Sequence, residues 1–298
     1  QVRGGDAARA AVAAAPGSPL VIGGACEAWP ALQAWRPHRL VGRFGDRALR
    51  LKGGGGDTMR LRDFVAYMTR GCDGDRFPRY LFDHDIWPEL LDDYDATVGG
   101  AFPHDYFALL GPARKAFRWF LLGPRRSGSQ PHVDPDGTSA WNALVVGRKR
   151  WAMLDPKAVE AGLVARSEVE AGPLSVEEWF RERWPALRQR CPGHAFEHRQ
   201  APGEVMYVPA GMWHAVLNES DTVAVTQNFV GTWELVGAWE ALMEYRPCLA
   251  REWVRRMLLS APRMLLAAPA SDGGAEGATL GAALRAVMDD LERREARG

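Results

Sequence analysis

The fold is decided by residues 117–155, which read FRWFLLGPRRSGSQPHVDPDGTSAWNALVVGRKRWAMLD. Short apolar or aromatic runs alternate here with turns that contain Pro or Gly, as in antiparallel strands joined by tight connections. The same rhythm continues to residue 232 through the runs EVMYVP, HAVLN and TVAVTQNFV. Many short strands of this kind predict a β-sandwich or barrel. We therefore expect a mainly β core over residues 116–232.

The first 115 residues mix helical and strand patterns, and we expect them to pack on this core. The clearest segment is 57–70, in which apolar residues recur at i, i+3, i+4 and i+7, as on one face of a helix. A further helix is predicted at 5–15, and short strands are predicted at 19–24 and 79–83.

Helical patterns return after the core begins. The strand rhythm is interrupted at 157–200 by a Trp-rich segment that predicts helices, and a second helical pattern starts at residue 233. An Ala-, Pro- and Gly-rich stretch near 260–278 predicts a flexible linker to a last charged helix. The expected organisation has three parts, residues 1–115, 116–232 and 233–298.

Composition excludes several classes of protein. Lys plus Arg and Asp plus Glu both number 37, so no global field attracts nucleic acid or anionic lipid. The four cysteines are widely separated and form no CxxC pair, which argues against a zinc finger and a disulfide framework. No run approaches the roughly 20 apolar residues of a membrane span, and the Ala-rich start lacks the apolar centre of a signal peptide. We expect a soluble intracellular protein, nuclear or cytoplasmic.

The motif that carries chemistry is Gln130-Pro-His-Val-Asp-Pro-Asp-Gly137. In an extended segment residues i and i+2 point to the same face, so His132 and Asp134 can bind one ion. A third ligand has to come from a distant strand, and His214 follows a Pro/Gly turn in YVPAGMWH. Two imidazoles and one carboxylate form the facial triad of non-haem Fe(II), which leaves positions open for other ligands. A lone H-x-D pair is common by chance, so the assignment depends on His214 and the surrounding residues.

Polar residues on neighbouring strands suit an anionic co-substrate. Lys149 shares a strand face with Trp151, and an ammonium inside the barrel would pair with a carboxylate. Hydroxyl and amide groups at Asn142, Thr226 and Asn228 would complete its hydrogen bonds. In the alternative interpretation Lys149 belongs to a solvated basic turn, and Thr226 and Asn228 are ordinary strand residues, since Thr has high strand propensity.

These residues resemble the jumonji-C oxygenases, and within them the lysyl hydroxylases and proposed arginine demethylases once called phosphatidylserine receptor. The resemblance lies in Arg118–Asp155, Pro202–Asn218 and Thr222–Phe229, and more loosely in Tyr80-Leu-Phe-Asp83. It covers roughly residues 18 to 255. The relatives have long basic and serine-rich tails, whereas this chain ends in an Ala/Gly-rich segment and a mixed-charge helix, so RNA association stays uncertain.

The resemblance implies a fold and a set of site residues. The fold is a double-stranded β-helix, a jelly-roll of the cupin type, with N-terminal α/β elements and C-terminal helices. Fe(II) would be held by His132, Asp134 and His214, with O2 as the oxidant. The implied 2-oxoglutarate ligands are Lys149, Thr226, Asn142 and Tyr80. Asn228 would contact the substrate or support the site, and Trp119 and Trp213 would line it, although core packing explains both tryptophans equally well.

The resemblance also implies an activity. The enzyme would hydroxylate a protein side chain, most plausibly lysine, or remove an N-methyl group from arginine by the same chemistry. An acidic pocket would favour such a cation, and Asp83 and Glu204 are candidates for it. The C-terminal helices, residues 233–259, would form a homodimer or cap their own barrel. The alternatives are the same core acting on another residue or a tRNA base, and a non-catalytic cupin-like scaffold with a closed metal site.

Overall fold

The computed structural model describes residues 1–51, 57–85, 89–267 and 275–296, with the backbone alone for 261–267, 275–279 and 295. The strands are β1 (Val2–Arg3), β2 (Leu20–Gly23), β3 (Ala48–Arg50), β4 (Thr58–Arg60), β5 (Leu81–Asp83), β6 (Arg118–Gly123), β7 (Gly128–His132), β8 (Ser139–Val146), β9 (Lys149–Leu154), β10 (Ala195–Gln200), β11 (Val205–Val208), β12 (Trp213–Asn218) and β13 (Thr222–Phe229). The helices are α1 (Gly5–Ala14), α2 (Ala31–Ala34), α3 (Pro37–Phe44), α4 (Leu61–Arg70), α5 (Pro156–Glu160), α6 (Arg166–Val169), α7 (Val176–Glu182), α8 (Trp184–Arg190), α9 (Leu235–Tyr245), α10 (Pro247–Ala267) and α11 (Ala275–Glu295).

The strands β6 to β13 are divided between two facing sheets. The larger sheet has the order β1-β2-β11-β8-β13-β6-β5, and the smaller has the order β10-β9-β12-β7. Pairing is nested, because β6 pairs with β13, β7 with β12, β8 with β11, and β9 with β10. This arrangement is a jelly-roll. The predicted fold, a jelly-roll core with N-terminal α/β elements and C-terminal helices, is confirmed.

One strand of the core was not expected from the sequence. The segment 157–200 was predicted to be helical, and α5 to α8 account for it only as far as Arg190. Its end, Ala195–Gln200, forms β10 at the edge of the smaller sheet and pairs with β9. Its sequence AFEHRQ is mostly polar because the edge faces solvent, where charged side chains also discourage pairing with other chains. The apolar alternation that identifies a half-buried strand is therefore missing.

The larger sheet is covered on both faces. Trp141 and Ala143 of β8 point to the N-terminal elements, where they join a cluster with Trp29 and Trp35. The intervening residue, Asn142, points into the barrel and lines its cavity. Burial on both faces explains why β8 is apolar apart from Ser139 and Asn142, whereas a half-exposed strand alternates. The N-terminal region thus supports the wall of the candidate site.

The C-terminal helices pack on their own chain. The apolar face of α9, which includes Trp239 and Leu242, is buried against α10, α11 and the aromatic segment before β6. Trp253 Nε1 fixes this packing by donating to the Tyr106 carbonyl at 2.9 Å. Part of the linker predicted near 260–278 is helical, since α10 runs to Ala267 and α11 starts at Ala275, and the residues between lie outside the described ranges. The division into three parts stays a prediction.

Within the described ranges, no helix combines the length and apolar composition that a bilayer crossing requires.

The two ligand-bearing strands approach closely at Gly128 of β7. Its φ is 151°, and a Cβ placed there would lie 1.9 Å from the Val216 carbonyl oxygen on β12. Gly128→Ala is therefore expected to lower the free energy of unfolding by about 2 kcal/mol, since the strands must separate to admit a methyl group. Urea denaturation measures this change. Gly74→Ala is the control, because nothing lies within 4 Å of a Cβ at Gly74; equal losses for both variants would contradict the prediction.

Candidate metal centre and co-substrate pocket

Three metal-binding side chains converge where β7 and β12 pair. His132 ends β7 and lies opposite His214 of β12, next to a register shift between His214 and Val216. Because the two histidines are direct cross-strand partners, their imidazole centroids lie only 4.1 Å apart, with the rings tilted by 51°. Asp134 follows in the next loop, with its carboxylate oxygens 3.8 Å from His132 Nε2 and 3.9 Å from His214 Nε2.

Both imidazoles are oriented by backbone carbonyls. Nδ1 of His132 lies 2.8 Å from the Gln130 oxygen, and Nδ1 of His214 lies 3.0 Å from the Met212 oxygen. These contacts are satisfied when each Nδ1 carries the proton and donates it, which leaves each Nε2 lone pair available to a metal. The three ligand atoms lie within 4.8 Å of one another. The donor set and its orientation fit Fe(II) with positions left open for other ligands.

The centre opens into a cavity of about 760 Å³ inside the barrel. It brings together most of the predicted site residues. The cavity is lined by His132, Asp134, His214, Lys149, Thr226, Asn142, Tyr80, Asn228 and Trp119.

Lys149 lines this cavity and is 0% exposed. Its Nζ donates to Asn218 Oδ1 at 2.8 Å and to Tyr80 Oη at 3.1 Å. Burial raises the pKa of Tyr80, so its hydroxyl stays neutral. A buried ammonium in the wall of a cavity suits a carboxylate that enters the cavity. The interpretation of Lys149 as part of a solvated turn is wrong.

Asn142 and Thr226 face each other on β8 and β13. Thr226 Oγ1 donates to the Trp141 carbonyl at 2.9 Å, so it can donate to a ligand only by rotating its hydroxyl. Asn142 Oδ1 is buried and has no hydrogen-bond partner among the described residues. An unsatisfied buried acceptor costs about 1–3 kcal/mol. A ligand or solvent group in the cavity is expected to complete this bond.

Three residues predicted to shape the site lie elsewhere. Trp213 does not line the cavity, because it precedes His214 on the strand and therefore points to the opposite face. There it packs against the cluster of α5 to α8, with the Arg166 guanidinium 5.4 Å from its ring centroid. Among the described residues, neither acidic candidate lines the cavity: Asp83 accepts from the Arg50 backbone, and Glu204 pairs with His198. Asp134 supplies the carboxylate among the described lining residues.

Sequence reasoning missed Asn218, which orients Lys149. Asn218 lies opposite Lys149 in the β9–β12 register, and its Nδ2 donates to Ser127 Oγ at 2.8 Å. That bond turns the amide oxygen toward the ammonium. The signal was available, since alternation from His214 places Asn218, four residues later, on the same inward face.

Asn218→Ala is expected to weaken 2-oxoglutarate binding about tenfold, because Lys149 loses the acceptor that fixes its position. Isothermal titration of the Mn(II)-loaded protein with 2-oxoglutarate measures this change. Mn(II) affinity serves as the internal control and should not move, because Asn218 contacts no metal ligand in the described hydrogen bonds. An unchanged 2-oxoglutarate affinity would remove Asn218 from this role.

Comparison with known proteins identifies the family. Residues 8–234 match a family model described as a cupin-like domain. The chain belongs to this cupin-like family. Its cupin-like region resembles the bifunctional arginine demethylase and lysyl-hydroxylase psr-1 of Caenorhabditis elegans, at 34% identity over 84% of this chain and 65% of that protein.

Two further relatives carry related names. The lysine-specific demethylase JMJ21 of Arabidopsis thaliana is 38% identical over 71% of this chain and 23% of its own length. The human 2-oxoglutarate and iron-dependent oxygenase JMJD4 is 28% identical over 68% of this chain and 50% of its own length. The cupin-like chain thus spans between 23% and 65% of these relatives. The resemblance to jumonji-C oxygenases predicted from the motifs is confirmed.

Proposed function

We propose that this protein is an Fe(II)- and 2-oxoglutarate-dependent oxygenase that hydroxylates a protein side chain. The observation that carries the proposal is the juxtaposition, in one cavity, of the His132, Asp134 and His214 ligand set with the buried Lys149. A structural metal site would be closed by a fourth protein ligand, whereas this one opens on the cavity. The names of the relatives support the same activity.

In this proposal the metal ligands hold Fe(II), while Lys149, Thr226, Asn142 and Tyr80 hold 2-oxoglutarate. When bound, the two supply the oxidising chemistry: O2 converts the keto acid to succinate and CO2, and one oxygen atom enters a substrate C–H bond. The protein contributes chiefly by positioning. Lys149 pairs with the distal carboxylate, and the carbonyls of Gln130 and Met212 hold the imidazoles at a fixed angle.

The wall of the cavity covers one side of His214. Trp151 lies 6.2 Å from the His214 ring, with the two rings stacked at 28°, and its Nε1 donates to the buried Gln200 at 2.8 Å. This packing places an apolar surface beside the imidazole. An apolar surface next to a ligand helps to fix its orientation and strengthens its interaction with a bound cation.

The names of the relatives and two aromatic residues of the cavity support a proposal for the substrate class. We propose a lysyl side chain, or an N-methylated arginyl side chain, because the relatives are named for these residues. Trp119 and Phe82 line the cavity with ring centroids 5.3 Å apart. Aromatic faces bind cations and alkyl chains, which suits such a side chain.

The C-terminal helices add a further element to the proposal. Tyr245 and Leu259 are 72% and 71% exposed, although they are large and apolar. We propose a homodimer through α9 and α10, in which these two side chains would be covered.

The test of the proposal is anaerobic reconstitution with Fe(II) and 2-oxoglutarate, followed by exposure to O2 and a peptide library. A visible absorption band of the metal and keto acid is expected first, and stoichiometric succinate with a peptide mass increase of one oxygen second. Demethylation would appear instead as formaldehyde and loss of a methyl group. Absence of both the absorption band and succinate would overturn the proposed function.

A further inference from the structure

The loop that carries Asp134 has an unusual backbone. Asp136 has a φ of 60° and Gly137 a φ of 66°, both in the left-handed region. Asp and Asn tolerate this region better than most residues, although at a cost in strain. Such a conformation persists only where neighbouring elements hold it. Two sets of neighbours do so here, one from the C-terminal helices and one from β13.

The contacts from the C-terminal side come from α9 and the corner after it. Gly137 lies directly on α9, since a Cβ added to it would come within 2.9 Å of Ala238. The Arg246 guanidinium donates from Nη2 to Asp136 Oδ2. Both side chains are mostly buried, at 24% and 18% exposure.

Arg246 is itself held by the helices on either side. It lies between α9 and α10, where its N–H donates to the Leu242 carbonyl at 2.7 Å. Its own carbonyl accepts from the Ala250 N–H at 3.0 Å. A shift of the corner between α9 and α10 would therefore move the carboxylate of Asp136, which is two residues from the metal ligand Asp134 in the chain.

β13 holds the other side of the same loop through Asn228. Its Nδ2 donates to Thr138 Oγ1 at 2.9 Å, and the Thr138 hydroxyl donates to the Pro135 carbonyl at 2.8 Å. Asn228, predicted to contact the substrate or support the site, thus supports the ligand loop in this structure. Both ends of the segment Pro135–Thr138 are restrained.

We propose that Arg246 and Asp136 form a positioning clamp that holds Asp134 in place and thereby sets the metal affinity of the site. The inference rests on the metal site of the proposed function. The inference gives the C-terminal helices a role in metal binding. Arg246 lies outside the cupin-like region, because the family model matches residues 8–234. The clamp joins the C-terminal helices to the centre without touching the cavity that takes the co-substrate, since neither residue lines it.

Positioning and simple electrostatics make different predictions at Arg246 and the same prediction at Asp136. Removing the Arg246 charge leaves a carboxylate near the metal, which by charge alone would strengthen cation binding. Removing the Asp136 charge leaves a guanidinium there, which by charge alone would weaken it. If the clamp acts by holding the loop, both changes weaken metal binding, and the second change adds little once the first has been made.

The experiment measures Mn(II) affinity of the full chain from the electron paramagnetic resonance signal of free Mn(II), without 2-oxoglutarate. The variants are Arg246→Gln, Asp136→Asn and their combination. Asn keeps the tolerance for a positive φ, so the backbone of the loop is not forced to change. Each single variant is expected to lower the affinity about tenfold, and the double variant by no more than either. Arg246→Lys, which keeps one donor, should recover part of the loss.

The control is Arg255→Gln, because Arg255 pairs with Glu252 on the exposed side of α10, away from the loop. Its Mn(II) affinity should equal that of the wild type. Thermal melting without metal separates misfolding from loss of positioning. If Arg246→Gln melts early, the decision rests on Arg246→Lys and Asp136→Asn. Unchanged affinities, or shifts of opposite sign in the two single variants, overturn the clamp. A wild type that binds no Mn(II) overturns the proposed metal site itself.

Discussion

His132→Ala is expected to abolish succinate formation, with a loss of about 10³-fold or more. The imidazole is one of three ligands, and the Gln130 carbonyl holds its Nδ1 so that Nε2 faces the metal position. Among the described residues, the group of metal-binding side chains contains only His132, Asp134 and His214, so no other side chain can replace this ligand. Losing a ligand removes both the metal affinity and the fixed geometry on which oxygen chemistry depends. Mn(II) titration and succinate assays at saturating 2-oxoglutarate measure the two effects separately.

The fold should survive this substitution. The His132 side chain is 41% exposed and ends its strand, so its truncation leaves no large cavity. His38→Ala is the matched control, because His38 is an exposed histidine on α3, remote from the centre in the fold. Wild-type succinate formation by His132→Ala would refute the ligand assignment, and so would an equal loss in His38→Ala.

Lys149→Met is expected to weaken 2-oxoglutarate binding by about 2–5 kcal/mol, with Mn(II) affinity unchanged. The ammonium is fully buried, so it meets a carboxylate in a medium of low dielectric constant. Met keeps most of the side-chain length and volume, which limits the effect to the charge. Titration with 2-oxoglutarate measures the affinity, and chemical denaturation measures stability separately, since the substitution also leaves the buried Asn218 Oδ1 without its donor.

Arg150→Met is the control for this substitution. Arg150 is the next residue on β9 and points to the other side of the sheet, where its Nε pairs with Glu197 at 2.8 Å. Removing that charge should leave the 2-oxoglutarate affinity as it is. If Lys149→Met binds 2-oxoglutarate as tightly as Arg150→Met does, Lys149 is not the partner of the distal carboxylate.

Alternation along strands made much of the site predictable. His132 and Asp134 were assigned because i and i+2 share a face, and Lys149 was placed inside the barrel by the same rule. Trp213 was assigned wrongly because the resemblance gave it a role, although its neighbour His214 already occupied the inward face. Asn218, which accepts from Lys149, was missed because neither the motifs nor the resemblance assigned it a role, although alternation placed it on the inward face.

Contacts between distant segments could not be predicted in this way. The ion pair of Arg246 and Asp136 joins residues 110 positions apart, and neither lies in a pattern that indicates a partner. The positive φ of Asp136 depends on packing against α9, which local sequence does not specify. The polar edge strand β10 was missed because its composition does not indicate a strand. It is a strand because its backbone pairs with β9.

The nested pairing of the jelly-roll has a consequence for how the centre comes into being. β8 pairs with β11 and β9 with β10 within the stretch of chain that joins β7 to β12. Such long-range pairings form slowly, because a large loop must close before the contacts that stabilise it can form. We therefore expect the cation site to form late in folding, and a bound metal to stabilise the native state relative to the unfolded chain.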